Sequence, residues 1–519
     1  MAETMLAELP EFPSSDRPWL PGRGRRLLTF SDSRREAAKL GPQLSQQHER
    51  RIIRAAWVRC ALETPPIDDA LIQDLESEIN SLRKRLTTEE MSDAQRRRAE
   101  SRLTTVQQEL VAATSGGRLD DWTNTVGESK LVMELLDRES AAQHRCDQWS
   151  QHKFEENAKR VRRSLQARLM NELVKPFRGS SSPDDIGLLE VTYPGLDAVA
   201  APGALLGSLP DPEARSALTD CWSDLLAALC DTLREQGVVT LGDDDLDDAY
   251  GADHVGRIGL WCSQQDALEY RLIRFIGETE RQTRGRFARA VLQRIGVSDD
   301  VTQRADELLE FAFTTLLGMA QRGDVPWLEY APDRQTTSRG AVSAVRIKFC
   351  ELSIRRPRQL FLCPRTGWVW PRSVAGCAPR EGCTDLRPTT DKELDDASRF
   401  FRERREYRSS KVFETAVWAE EHSAQLSPGE NRRLQDLFKA GLRNILSSTT
   451  TLELGIDIGG LNAVFLSNVP PSNVNYMQRG GRAGRRADGS SIVVTFARNR
   501  GFDRDVFSHM GQYLERSIR

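Results

Sequence analysis

Residues 447–486 of this 519-residue chain hold two stretches suited to meeting phosphate, STTTLELGIDIGGLNAV and then YMQRGGRAGRR. The second sets Gln478, Arg479, Arg482 and Arg485 in the spacing Q-R-x-G-R-x-G-R. Side chains three apart share a helix face, so the spacing predicts one helix on which Arg479, Arg482 and Arg485 point the same way. Glycine is costly inside a helix, and Gly480, Gly481 and Gly484 therefore need a reason. A cationic comb thinned so that a polyphosphate can approach is one; a solvated, arginine-rich helix is the bland alternative. In the first stretch, Thr449 and Thr450 sit where a strand ends, and Asp457 sits in LGIDI behind Gly455.

Groups of this kind need a frame to hold them. An apolar run over residues 26–30 reads as a short buried strand, and Ser31, Asp32 and Ser33 are N-cap candidates for a helix over 34–40. The α/β rhythm then stops and resumes near residue 411. There the pattern predicts strands over 412–418, 442–447, 463–467 and 492–496. Ser427-Pro428-Gly429-Glu430 opens a helix as a capping box with proline in the first turn. Strands separated by helices imply a parallel sheet covered on both faces. Together with 26–30 they make one α/β domain split by a large insertion.

The two stretches resemble motifs V and VI of superfamily-two helicases, and RRLLTFSDSRREAA at 25–38 resembles motif IV. WAEEHSAQLSPGENRRLQDLFKAG at 418–441 extends the likeness. The branch it resembles includes the large helicase-related proteins and the DISARM-type phage-defence helicases. Residues 411–504 match densely and 25–42 match well, whereas the middle matches loosely. The resemblance implies the second RecA-like domain of such an enzyme, of the P-loop NTPase superfamily. Arg482 and Arg485 would then be arginine fingers, with Gln478 at the γ-phosphate or its attacking water. Asp457, Gly455 and Arg479 would serve the nucleotide. Ser31, Arg34, Thr449, Thr450 and His422 would contact nucleic acid, with DNA the expected kind. Asp457 as a turn cap, Ser31 as an N-cap and His422 as a structural ring are the plainer readings. Gly480-Gly481 stands where many relatives carry a bulkier residue after the first arginine, which would loosen the helix.

No G-x-x-x-x-G-K-[ST] occurs in the 519 residues, and no Asp-Glu-Ala-Asp or Asp-Glu-x-His box. The groups that grip the β/γ-phosphates and Mg²⁺ are therefore expected from a first RecA-like domain elsewhere. ATP and Mg²⁺ would be shared with that domain, carried by another chain or by the remainder of a longer one. A relic RecA-like module that binds nucleic acid or a partner without catalysis is the alternative, and the intact arginine motif speaks against it.

The formal net charge of -3 gives no global case for a polyanion partner, so such a surface must be local. Nine cysteines without a pairing pattern and no apolar run of roughly 18 residues suggest a reducing cytoplasm and no membrane. Cys350, Cys363, Cys377 and Cys383 lie within one short segment and faintly resemble a zinc ribbon. No C-x-x-C is present, and buried free thiols are the commoner outcome. The expected organisation is an extended lead-in over 1–24 and a RecA-like domain from 25–43 and 411–519. A mainly helical insertion fills 44–344, with a helical hairpin over 67–113, and a small β-rich, cysteine-containing segment fills 345–410. Residues 115–117 and 179–183 read as linkers.

Overall fold

The computed structural model describes residues 20–63, 69–88, 95–103, 116–136, 151–174, 182–209, 211–241, 258–264, 272–277, 282–336, 340–380, 382–409, 416–422, 426–449, 463–484 and 491–515, with a few short stretches besides. The chain is mixed α/β and divides into two compact units, residues 1–52 with 409–519, and residues 53–408.

The first unit is built on a five-stranded parallel sheet. Its strands are β1 (Leu27–Phe30), β2 (Ala419–His422), β3 (Ile445–Ser448), β4 (Ala463–Leu466) and β5 (Ile492–Thr495), in the order β2-β3-β1-β4-β5. The strand from the start of the chain is therefore the central one. Leu27 aligns with Ile445 on one side and Ala463 on the other, and Phe30 with Ser448 and Leu466. Burial on both faces explains its uninterrupted LLTF composition. Alternate side chains enter two cores. Leu28 and Phe30 join Leu446, Val464, Leu466 and Phe438, while Leu27 joins Ile445, Ala463 and Ala419. Thr29 keeps its hydroxyl satisfied by donating to the Leu446 carbonyl at 3.3 Å.

Helices α1 (Arg34–Glu63), α2 (Pro428–Lys439) and α3 (Asn473–Gly480) follow β1, β2 and β4. The capping box is formed at α2: the Glu430 amide donates to the Ser427 hydroxyl at 3.2 Å and the Ser427 amide to the Glu430 carboxylate at 2.9 Å. Arg26 donates to the carbonyls of Phe438 and Lys439 at the other end of α2 and lies over the Phe438 ring. A cation there also meets the negative end of the helix dipole. Helix α1 lies hard against β2 at Gly41, where a Cβ would stand 3.1 Å from the Glu420 carbonyl carbon. After β5, α4 (Gly501–Ser508) and α5 (Met510–Glu515) pack Val506 and Tyr513 onto Val469 and Tyr476.

Two expectations for this unit need correction. The second strand is Ala419–His422; residues 416–418 are not strand, and the rest of the expected 412–418 strand lies outside the described residues. Its AEEH sequence lacks a strand's apolar alternation because it is an edge strand, with Glu420 paired to Arg443 at 3.0 Å. Helix α1 also runs far beyond residue 40, to Glu63.

The second unit is less helical than expected. It carries helices such as Gln151–Val174, Pro212–Glu235 and Val301–Arg322, but also, among the described residues, three small sheets. The largest includes the antiparallel pair Leu328–Thr336 and Gly340–Lys348. Most of its strands are two or three residues long, too short to leave a period in the sequence. The two apolar stripes of the predicted hairpin do meet, Leu75, Ile79 and Leu82 packing with Leu103 and Val106. The linker reading of 179–183 fails at its end. Ser182 is buried, its amide bonded to Asp185 at 3.2 Å, and Asp184 pairs with the buried Arg234 at 2.9 Å. The acidic run at 243–248 lies outside the described residues. Among the described residues no helix is long and apolar enough to cross a membrane.

Candidate functional site

Because the sheet is parallel, the C-terminal ends of β2, β3 and β1 line one edge. His422 and Phe30 both align with Ser448. The Ser31 amide donates to the Ser448 carbonyl at 3.0 Å, which sets Ser31 beside Thr449. Three of the predicted nucleic-acid residues are thus brought to neighbouring positions, and Arg34 opens α1 just behind them. The N-terminus of a long helix there offers free backbone N–H groups and a partial positive charge.

The cap of α1 is Ser33, not Ser31. The Glu36 amide donates to the Ser33 hydroxyl at 3.3 Å, and the Ala37 amide to the Ser33 carbonyl at 2.9 Å. Ser31 is buried and turns its hydroxyl to the Glu36 carboxylate at 3.2 Å. Glu36 is held in turn by both terminal nitrogens of Arg498, at 2.8 and 2.6 Å. Those hydrogen bonds, chiefly, keep its carboxyl below the usual carboxylate range. Thr449 is buried as well.

His422 is buried, and its Nε2 lies 2.8 Å from the side-chain nitrogen of Gln435. Burial lowers its pKa and so favours the neutral ring. The geometry favours the structural role for this residue.

The arginine motif departs most from expectation. Helix α3 ends at Gly480, so Arg482 lies beyond it and does not share a helical face with Arg479. Gly481 is the C-cap, and Gly484 takes a left-handed φ of 82°. The glycines stop the helix and turn the chain instead of baring a surface: Gly480 packs against Val493, and a Cβ at Gly481 would meet the Met477 carbonyl oxygen at 2.9 Å. The Gly484 amide then bonds to the Leu461 carbonyl at 2.8 Å, beside the start of β4.

Arg479, expected at a nucleotide, points inward. It is 1% exposed, pairs with Asp32 at 2.6 Å, and lies over the Phe30 ring at 5.6 Å. Asn468 secures the same carboxylate: it donates to the second oxygen of Asp32 and accepts the Asp32 amide at 3.3 Å. Arg482 is also buried, at 3% exposure, while Gln478 is exposed. Thr450, Gly455, Asp457 and Arg485 lie outside the described residues.

Asp32, Asn468, Glu36 and Arg498 were missed as site residues. They tie the turn after β1 to α3 and to the segment after β5. Only Asp32 gave a sequence signal, and it read as a cap.

Among the described residues no group of three or more His, Cys, Asp or Glu side chains is placed to hold a metal. Cys363 and Cys383 pack with Trp370, Ala378 and Leu386 in an apolar cluster. Burial pushes the Cys377 and Cys383 thiols up to about 11. Burial acts on Cys363 too, but hydrogen bonds from Thr366 and the Arg365 backbone outweigh it and bring that thiol below its ordinary value. Cys350 sits apart, in the short turn Phe349–Glu351.

The family model described as "Helicase conserved C-terminal domain" matches residues 390–487. Druantia protein DruE of Escherichia coli is 44% identical over 94 residues, 15% of this chain and 5% of that protein. The ATP-dependent helicase HRQ1 of Saccharomyces cerevisiae is 38% identical over 90 residues, 17% of this chain and 8% of that protein. A crystal structure of the DUF1998 helicase MrfA bound to DNA and AMPPNP is 26% identical, covers 22% of this chain and 16% of that one, and superposes with a TM-score of 0.20. The matched part is thus under a tenth of the length of these two curated relatives. Residues 390–487 of the chain are thus similar to the conserved C-terminal domain of helicases.

Proposed function

We propose that this chain is the half of an ATP-dependent DNA helicase or translocase that holds the strand and supplies the arginine fingers. A P-loop domain outside these 519 residues completes the site. The observation that carries the reading is the placement of β1 between β3 and β4. It sets Ser31 and the start of α1 beside Thr449, as strand-gripping motifs IV and V require.

The residues present do not form a whole nucleotide site, since nothing in the sequence would cradle the β/γ-phosphates or bind Mg²⁺. They suit an edge contributed to one. When bound, ATP with Mg²⁺ supplies the phosphoryl group whose transfer drives movement. This chain positions Gln478, Arg482 and Arg485 toward that group as the domains close. The buried position of Arg482 means that closure must draw it out. Ser31, Arg34, Thr449 and Thr450 hold the strand by its phosphates, contacts that fix register without reading sequence. A place in phage defence rests on the resemblance to defence helicases.

Titrating the purified chain with labelled single-stranded oligonucleotides at two salt concentrations tests the strand-gripping edge. Binding should be largely independent of sequence and weaken with salt. A Thr449→Ala/Arg34→Ala double variant should bind about tenfold more weakly, or worse. Unchanged affinity in that variant would reject the assigned surface.

A further inference from the structure

The loop and helix over residues 363–408 of the second unit carry a group of arginines laid on aromatic rings. Arg399 is exposed, with its guanidinium carbon 5.2 Å from the centre of the Trp368 ring and 5.9 Å from that of Phe400. Those two rings meet edge to face at 5.4 Å. Arg402, also exposed, lies 5.6 Å from the centre of the Phe401 ring.

The mounting is rigid. Trp368 takes a second guanidinium, Arg380, at 4.9 Å, and Arg380 is itself anchored to Asp185 and Glu235. The Arg399 amide donates to the Gly367 carbonyl at 2.7 Å. Gly367 adopts a left-handed φ of 71°, and a Cβ there would stand 3.0 Å from the Arg399 nitrogen. Only glycine lets the two backbones meet so closely.

Charge decides what these cations are for. The aspartates nearby are already taken: Asp391 and Asp395 pair with Arg404, Asp395 also with Arg408, and Asp396 with Arg405. Glu393 pairs with Arg387 at 2.7 Å. Among the described residues Arg399 and Arg402 form no ion pair, and their contacts are with rings. A guanidinium stacked on a ring keeps its N–H edge turned outward in a fixed fork that matches phosphate oxygens. Stacking also settles in advance the ordering that a free arginine loses on binding. Stacked surface arginines often do no more than cover apolar area. Two of them three residues apart, with the neighbouring aspartates neutralised by other arginines, fit a polyanion better.

We propose that Arg399 and Arg402 form a second nucleic-acid contact, gripping the phosphate backbone of single-stranded DNA outside the RecA-like sheet. The proposal rests on the helicase reading for its ligand but not on the sheet edge for its site.

The test uses the full chain and a labelled oligothymidylate, with affinity measured across a salt series. Each phosphate contact on a single strand contributes a slope of about 0.7 in log K against log salt. Arg399→Ala/Arg402→Ala should therefore weaken binding and flatten the slope by about 1.4. Arg399→Lys/Arg402→Lys should restore most of the slope, because the charge is kept. Arg405→Ala, whose residue is engaged by Asp396, should leave it unchanged. All of these should melt like the wild type, since the substituted side chains are exposed. An unchanged slope in the double alanine variant, or no binding by the wild type at low salt, would overturn the proposal. If Thr449→Ala/Arg34→Ala loses affinity while the double alanine variant does not, the sheet edge stands and this surface falls. The reverse pattern separates the two in the other direction.

Discussion

Mixed with a polypeptide that supplies a P-loop domain, the Arg482→Ala variant should hydrolyse ATP about 10³-fold more slowly than the wild type, and Arg485→Ala likewise. Charge that builds on the transferred phosphoryl group is stabilised by cations already fixed in place. Arg479 does not substitute for either, because it is committed to Asp32. Lysine should rescue poorly, for it lacks the planar fork that spans two oxygens. Complex formation, followed by size-exclusion chromatography, should be unchanged. Normal turnover in both alanine variants would remove the finger assignment. The segment after α3 would then need explanation as a binding surface.

The second large effect concerns stability. Asp32→Ala should destabilise the sheet-bearing unit by about 2–3 kcal/mol, because it leaves the buried Arg479 cation without its carboxylate. Asp32 is itself a third exposed, which places the expectation below the 3–5 kcal/mol typical of breaking a fully buried pair. Pairing Asp32→Ala with Arg479→Met should recover much of the loss, since an apolar side chain replaces the cation in the same space. Urea denaturation of the four proteins gives the coupling energy directly. A coupling near zero would mean that the Asp32–Arg479 contact does not fasten α3 to the turn after β1.

What could be read beforehand, and what could not, follows from range and length. LLTF announced a buried strand through composition, and Ser427-Pro428-Gly429-Glu430 announced a helix start through chemistry confined to four residues. The spacing of motif VI suggested the wrong geometry. Arginines at helical spacing suggested a comb, yet Gly480-Gly481 was the stronger local signal and stops the helix there. The strand at 419–422 was displaced in the reading because an edge strand tolerates AEEH, whereas the preceding residues looked more apolar. The Asp32–Arg479 and Glu36–Arg498 pairs join residues more than four hundred positions apart, and nothing local marks either partner. The insertion hid its sheets for a related reason: strands of two or three residues are made by distant pairing rather than by propensity.

If this chain completes an ATP site that it cannot form alone, its ATP hydrolysis should depend on a second component. The most direct measurement is nucleic-acid-stimulated ATP hydrolysis by the purified wild-type chain, first by itself and then with a P-loop-bearing polypeptide in the same assay. No turnover above background is expected from the chain alone, and DNA-stimulated turnover once the second component is added. Stimulated turnover by the chain alone, in a preparation free of other helicases, would contradict it.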